Sequence, residues 1–344
     1  MSQEPLVSII LPIYNAAPFL KEALDSVLKQ SYTHFEVIAI NDGSTDNPEL
    51  IIHTYHDPRL KYVTNETNKG VAKTLNQAIH LSTGEFIMRM DADDIIEQDK
   101  IFKQIHFFKL NPNIDILGTS FSQFSYDKPL YTDLPLEDAL IKLHLFFRCC
   151  LCHPTVMMRK KTLIDFNLAY NESLITAEDY ALWMEAFKKG MRFANLPEKL
   201  LCYRQHPNQN TDRHIHELLI LDDTIRLDIA HHFFSEIIIE YGESNYLSFI
   251  NRYCVELPQL KRIKTMVNEI KKTSISNIDL PISNQYWDHE WAQYWINCCY
   301  QFKFSSIKST AAFLWFCLKE PGFYHFKGWR KKLRFLLVCF KIIR

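Results

Sequence analysis

The chain has 344 residues, 47% hydrophobic and 23% charged, with a net charge of −1 at pH 7. That length buries a sizeable core, as one large domain or a domain with an appendage, and the near-neutral balance excludes a global field that would draw nucleic acid. Its 8 glycines include no G-x-G pair, no pair five apart before a Lys and none framing a Ser, which excludes the dinucleotide fingerprint, the phosphate-binding P-loop and the hydrolase elbow.

Leu6 to Ile13 is a near-continuous apolar run, as expected of a strand buried on both faces. Asn15 and Pro18 open a helix with Leu20, Leu24, Val27 and Leu28 on one face. Phe35 to Ile40 is predicted as the second strand, ended by Asn41-Asp42-Gly43-Ser44, with a helix following from about Pro48. Leu60 to Val63 is the third strand, Val71 to Leu81 a helix, and Gly84 to Met90 the fourth strand, stopped by Asp91-Ala92-Asp93-Asp94. A helix over Gln98 to Leu110 and a fifth strand over Ile114 to Thr119 follow. Such alternation predicts an α/β domain with a mostly parallel sheet covered by helices. Past residue 213 long helical stretches dominate, such as His216 to Phe234, so an α/β domain over 1–212 and a mainly helical region over 213–344 are expected.

No basic n-region precedes the first apolar run, and no stretch reaches the roughly 18 to 20 apolar residues of a membrane span. Nine cysteines without an export signal read as reduced thiols in the cytosol. Cys149-Cys150-Leu151-Cys152-His153 matches the haem-attachment pattern C-x-x-C-H, but that chemistry needs export. The segment is expected instead to be a buried strand rich in small thiols, running into Val156-Met157-Met158. No second C-x-x-C or paired His completes a zinc site.

In parallel sheets ligands bind outside the carboxyl ends of the strands. Those ends carry Tyr14 and Asn15, then Asn41, Asp42 and Asp46, then Asp91, Asp93 and Asp94. Asp91-Ala92-Asp93, read as an extended segment, places two carboxylates on one side. Such a pair holds a hard ion such as Mg²⁺ or Mn²⁺ incompletely and leaves positions for phosphate oxygens. The same residues also suit a solvated turn capping the next helix. Arg89 interrupts an apolar strand and therefore demands a buried partner, an acidic-cluster carboxylate being the natural one.

Several blocks in register carry a resemblance: Val7-Ser8-Ile9-Ile10-Leu11-Pro12-Ile13-Tyr14-Asn15, Asn41-Asp42-Gly43-Ser44-Thr45-Asp46, Asn68-Lys69-Gly70-Val71-Ala72, Arg89-Met90-Asp91-Ala92-Asp93-Asp94, Ala177-Glu178-Asp179-Tyr180-Ala181-Leu182-Trp183 and Tyr203-Arg204-Gln205-His206. Over about residues 5–212 the chain resembles the family 2 glycosyltransferases, inverting enzymes of the GT-A fold that use nucleotide-sugar donors. The resemblance implies a base-recognition segment at Pro12, Tyr14 and Asn15, and a carboxylate, Asp42, that accepts the uracil N3–H. Asn41 stands where the family often has Asp, which leaves its role open. The resemblance makes Asp91-Ala92-Asp93 the D-x-D element, with Asp93 on the metal (Mn²⁺ or Mg²⁺) and Asp91 on the donor ribose or sugar. Lys69 falls near the donor, where a solvated loop lysine is the other reading.

Asp179 is then the general base that takes the acceptor hydroxyl's proton, with Glu178 orienting it or touching acceptor. Without the resemblance, Glu178 and Asp179 read as ordinary acids in the first turn of a helix. Arg204 and His206 match an R-x-H element that closes over the diphosphate, the His joining the metal. His153-Pro154 suits either an acceptor border or a structural turn. The implied activity is hexosyl transfer from a nucleotide donor, by expectation UDP-linked, to a glycan or lipid-linked acceptor in surface polysaccharide or lipopolysaccharide synthesis. A non-catalytic nucleotide-sugar or glycan-binding module is the rival, and a nucleotide-sugar hydrolase a third reading.

Residues 327–344 hold seven of the chain's basic residues and no acid; without them 32 basic residues face 40 acidic, or −8. A basic amphipathic helix here suits an anionic membrane surface, and packing on the domain suits it as well. A cytoplasmic protein, peripheral on the inner face of the membrane in the first reading, with no nucleic-acid partner, is the expectation.

Overall fold

The computed structural model describes residues 4–124, 134–206, 214–253, 256–275, 278 and 280–301. In chain order the first unit runs β1 (Val7–Ile13), α1 (Ala17–Leu28), β2 (Phe35–Asp42), α2 (Glu49–Ile52), β3 (Leu60–Asn65), α3 (Val71–Leu81), β4 (Phe86–Arg89), β5 (Ile95–Ile96) and α4 (Lys100–Leu110). It continues with β6 (Ile116–Phe124), α5 (Asp138–Leu145), a 3-10 turn over His153–Thr155, β7 (Met157–Arg159), α6 (Lys160–Asp165), α7 (Glu178–Lys188) and β8 (Phe193–Arg204). The helices α8 (Ile215–Tyr241), α9 (Glu243–Ile250), α10 (Leu257–Ile270) and α11 (Leu280–Gln301) follow.

Among the described residues, the eight strands join one sheet of order β3-β2-β1-β4-β7-β6-β8-β5. β1 is buried almost throughout because it lies between β2 and β4, parallel to both, with Val7 beside Phe35 and Phe86. Helix α1 lays Leu20, Ala23, Leu24 and Val27 on the sheet, and α3 buries Ala72, Leu75 and Ala78. Strand order reverses at β1: the chain steps outward to β2 and β3, then returns to the other side as β4. That reversal opens a crevice at the carboxyl ends of β1, β2 and β4, the usual ligand position in such sheets.

Two expectations are refined and two need correction. The predicted fifth strand, here β6, runs in the same direction as β1 to β4 but is not their neighbour, because β7 lies between it and β4, antiparallel to both. Alternation along the chain reports strands and helices but not which strands are neighbours. The predicted helix after Pro48 is present, as a single turn of 4 residues. The run Cys149 to His153 is not a strand: it is irregular backbone entering the 3-10 turn, and pairing starts only at Met157. Pro154 has no amide to give a ladder, which delays the strand. Finally, Asp91 to Asp94 is a turn rather than an extended segment, with the Asp94 amide 3.4 Å from the Asp91 carbonyl.

The chain divides into two compact units after Ile225. The second unit's described part is helical, with an aromatic cluster in which Phe249 stacks on Trp287 and meets Tyr294 edge-on, their centroids 6.2 and 5.4 Å away. The predicted stretch to Phe234 is met by α8, whose helical geometry is interrupted at Phe234 (φ −133°, ψ 29°). The predicted boundary at 212/213 and the basic segment 327–344 lie outside the described residues. Among the described residues no helix is long and apolar enough to cross a membrane.

Candidate active site

The crevice holds a cavity of about 970 Å³. Its walls bring together Pro12, Tyr14, Asn15, Asp42, Lys69, Asp91, Ala92, Asp93, Glu178, Asp179 and His206. Of the residues to which the resemblance gave a role, Arg204 alone is not on the wall, and Asn41, Asp46 and Asp94 of the strand ends are not on it either.

The loops after β1 and β2 are tied to each other. Asn15 takes a left-handed conformation (φ 50°), which Asn tolerates, and its Oδ1 accepts from the Thr45 amide at 2.8 Å. Asp46 Oδ2 accepts from the Ala17 amide at 2.7 Å and so satisfies an open donor at the start of α1. Asn41 accepts from the Ser44 amide and donates to Glu49 at 2.6 Å, which answers its open role: it holds the loop and does not face the cavity. Tyr14 is left 46% exposed at the cavity wall, an aromatic face free to receive a planar ligand.

Asp42 is buried at the end of β2 and accepts from Asn65 Nδ2 (2.8 Å) and from the amides of Lys69 and Gly70 (both 3.0 Å). Gly43 makes this approach feasible: it has φ +69°, and a Cβ there would stand 2.6 Å from the Asn68 nitrogen. Oδ2 of Asp42 accepts one of these bonds and retains a lone pair for a ligand. Lys69 Nζ donates to Asn65 Oδ1 at 3.0 Å, which holds the ammonium at the cavity.

Beyond β4, one oxygen each from Asp91, Asp93 and Asp94 lie within 4.8 Å of one another. Arg89, 5% exposed, forms the ion pair with Asp91 that its place in a buried strand demanded. Asp93 Oδ2 is 2.9 Å from His206 Nε2. Asp94 is fully buried; its Oδ1 accepts from the Arg204 amide at 2.9 Å, while its Oδ2 is buried without a hydrogen-bond partner. Burial pushes the Asp94 carboxyl well up, and the charges of Asp91 and Asp93 add to this. Burial also pushes Asp91 up to about 6 against the pull of Arg89. Crowded carboxylates with an orphaned buried oxygen and an adjacent imidazole are the donor set of a hard divalent ion, which would relieve their repulsion.

On the other wall Asp179 occupies the first turn of α7, after Ala177 in the left-handed region (φ 57°). Its Oδ1 accepts from the Tyr180 amide at 2.7 Å, and its Oδ2 accepts from the Cys149 thiol at 3.8 Å. Burial raises the Asp179 carboxyl above the ordinary range. Burial, then the neighbouring Asp179 charge, pushes Glu178 up to about 7. Glu178 Oε1 lies 3.7 Å from His153 Nδ1, and His153 Nε2 is 2.7 Å from the Tyr170 hydroxyl. Burial drives His153 well below its usual value, so the imidazole is neutral and the Glu178 contact is not an ion pair. His153 is thus a buried, neutral prop that itself forms part of the cavity wall.

Two contributors were not identified from sequence, and a third only in part. Cys149 was assigned to a strand, yet it is the thiol donor to Asp179. Lys100, wholly buried, donates to the Pro154 carbonyl at 2.9 Å and is pushed down to about 7 by burial. A lysine in the first turn of a helix, where acids are favoured, was the available signal. Asp94 was legible as part of the acidic run but not as the residue with the orphaned oxygen.

Known proteins resemble this chain in sequence and in fold. The model of glycosyl transferase family 2 matches residues 8–168. EpsE of Bacillus subtilis, named as a glycosyltransferase, is 32% identical over 215 residues, spanning 60% of this chain and 75% of EpsE. An uncharacterized glycosyltransferase of Haemophilus influenzae is 29% identical over 284 residues, 78% of this chain and 87% of that protein. Residues 1–349 of S. aureus TarS in complex with UDP-GlcNAc share the fold with a TM-score of 0.53 at 18% identity, covering 86% of this chain and 91% of that one. The GT-A-type sheet, the acidic turn at its crevice and these relatives together establish that the chain belongs to the family 2 glycosyltransferases.

Proposed function

We propose that the chain is a divalent-cation-dependent inverting glycosyltransferase. It would move a hexosyl group from a UDP-linked donor to a hydroxyl of a glycan or lipid-linked acceptor in surface polysaccharide synthesis. One observation carries the reading: a single cavity presents Asp91 and Asp93 of the acidic cluster, with His206, on one side and the part-buried carboxylate of Asp179 on another. The TarS fragment of the same fold is bound to UDP-GlcNAc, which supports a uridine donor for this cavity.

Asp93, His206 and Asp94 would hold Mn²⁺ or Mg²⁺, whose charge would be supplied to the donor diphosphate. Tyr14 stacks on the base, the remaining lone pair of Asp42 accepts its N–H, and Pro12 and Asn15 shape that end of the cavity. Asp91 and Ala92 line the sugar side, where Arg89 keeps Asp91 ionised. Asp179 Oδ2 accepts the acceptor hydroxyl's proton as its oxygen forms the bond to the anomeric carbon. The anomeric carbon–phosphate oxygen bond breaks, and the nucleoside diphosphate leaves on the opposite face. A single displacement inverts configuration. Lys69 and Arg204 favour the departing anion by charge.

Removal of divalent ions tests this directly. A protein stripped with EDTA is expected to lose transfer to the level of the uncatalysed control, and Mn²⁺ or Mg²⁺ is expected to restore it. Transfer that persists after stripping would reject the cation-dependent reading.

A lipid-linked acceptor would give residues 327–344 their use, since cations flanking apolar residues bind anionic headgroups. The full chain is expected to float with anionic liposomes and not with neutral ones, and deletion of 327–344 to abolish flotation. Equal flotation of both forms would reject this role.

A further inference from the structure

The R-x-H element at the end of β8 must hold a guanidinium and an imidazole beside the acidic turn, and its own backbone does not account for that. Arg204 donates its Nε to the Asp93 carbonyl at 2.8 Å and its amide to Asp94. The rest of the element is held by α1. The Phe19 ring centroid lies 4.9 Å from that of His206, tilted by 32°, and the Arg204 guanidinium sits 5.0 Å from the same centroid. One turn along, Glu22 forms an ion pair with Arg204. Phe19 is only half-buried and stands outside the hydrophobic core that its neighbours Leu20, Ala23, Leu24 and Val27 complete. An aromatic ring so placed is not filling the core. Its face serves a cation and a second ring.

We propose that Phe19, backed by Glu22, is a positioning residue that holds His206 against Asp93. On this basis α1 is a brace between the two ends of the site. Its first amide is capped by Asp46 of the loop after β2, and its next turn grips the R-x-H element. The Tyr14-Asn15 segment and the cation side are thereby linked through one short helix, so the imidazole is in place before donor arrives. The inference rests on Asp93 and His206 as cation ligands.

The test is Mn²⁺ binding to the full chain in the presence of UDP, followed by the loss of the free-ion electron paramagnetic resonance signal. Phe19→Leu is expected to bind Mn²⁺ roughly three- to tenfold more weakly at an unchanged melting temperature, Phe19→Tyr to bind within about twofold of wild type, and Glu22→Gln to fall between them. Asp93→Asn and His206→Ala report on the cation site itself. If both of these lose Mn²⁺ while Phe19→Leu and Glu22→Gln bind as wild type does, the brace is overturned and the cation site stands. An equal loss in Phe19→Tyr and Phe19→Leu also overturns it, because the aromatic face would then be irrelevant. If Asp93→Asn and His206→Ala bind as wild type does, the cation site fails and the brace with it. Should Phe19→Leu not fold, Phe19→Met and the exposed-site variant Glu22→Gln carry the same comparison.

Discussion

Replacing Asp179 with Asn is expected to lower the transfer rate by about 10²- to 10⁴-fold, the usual contribution of a general base. The amide preserves the shape and the bond from the Tyr180 amide, so donor affinity should stay near that of wild type. Steady-state kinetics with a UDP-sugar, paired with calorimetric donor binding, separates the two effects. Unchanged transfer would remove Asp179 from its role. The pH dependence supplies a second check. Transfer requires the ionised carboxylate, and burial raises this carboxyl above the ordinary range. Wild-type activity should therefore fall as pH drops through that raised value, an acidic limb displaced upward from where a solvated Asp would put it. The Asn variant has no such group, so its residual activity should lack that limb.

Arg89→Met is expected to cost about 3–5 kcal/mol of stability, the usual consequence of removing one partner from a buried ion pair. Arg89 is 5% exposed, pairs with Asp91, and its charge also acts on Glu178 and Tyr170. Met matches the stem but leaves the carboxylates uncompensated. The sign with pH follows from Glu178, whose carboxyl stands at about 7 although Arg89 pulls it down. Without Arg89 it rises further, so the folded state holds a proton that the unfolded chain releases. Stability of the variant then falls as pH rises from the ordinary carboxylate range to about 7 and beyond. Urea unfolding in EDTA at pH 5 and pH 8 should show the smaller deficit at pH 5. A variant as stable as wild type, or a deficit independent of pH, would contradict this account of Arg89.

Much of the parallel half was legible from local pattern. Val71 to Leu81 was predicted as the helix that α3 forms, because its apolar residues recur with helical period. β1 was legible because a strand covered on both faces must be apolar on both. The partner of Arg89 was legible in kind, since a charge inside a buried strand has to be matched. Prediction failed where an element is too short to show a period, as in the 2-residue β5, or where proline shifts a boundary, as before β7.

The candidate site divides the same way. Asp91-Ala92-Asp93 and Glu178-Asp179 were legible as local acidic groups, each with a plain alternative as a capped turn or a helix start. Nothing local to either says that they share a cavity. Cys149 was placed in a strand and proved to be a donor to Asp179; Phe19 was one apolar residue of a helix and proved to face His206.

What the amino-acid order determined by itself was the succession of strands and helices, the carboxylates and amides at the strand ends, and the absence of any glycine-rich phosphate cradle. Each of these is a property of a short window, set by residue size, charge and period. Only the tertiary structure decided that β7 lies antiparallel beside β4, that Asp94 keeps a buried oxygen without a partner, and that Asp179 stands part-buried beside Cys149. Those outcomes depend on desolvation and on partners far apart in the chain, and both arise only when the sheet closes over the crevice.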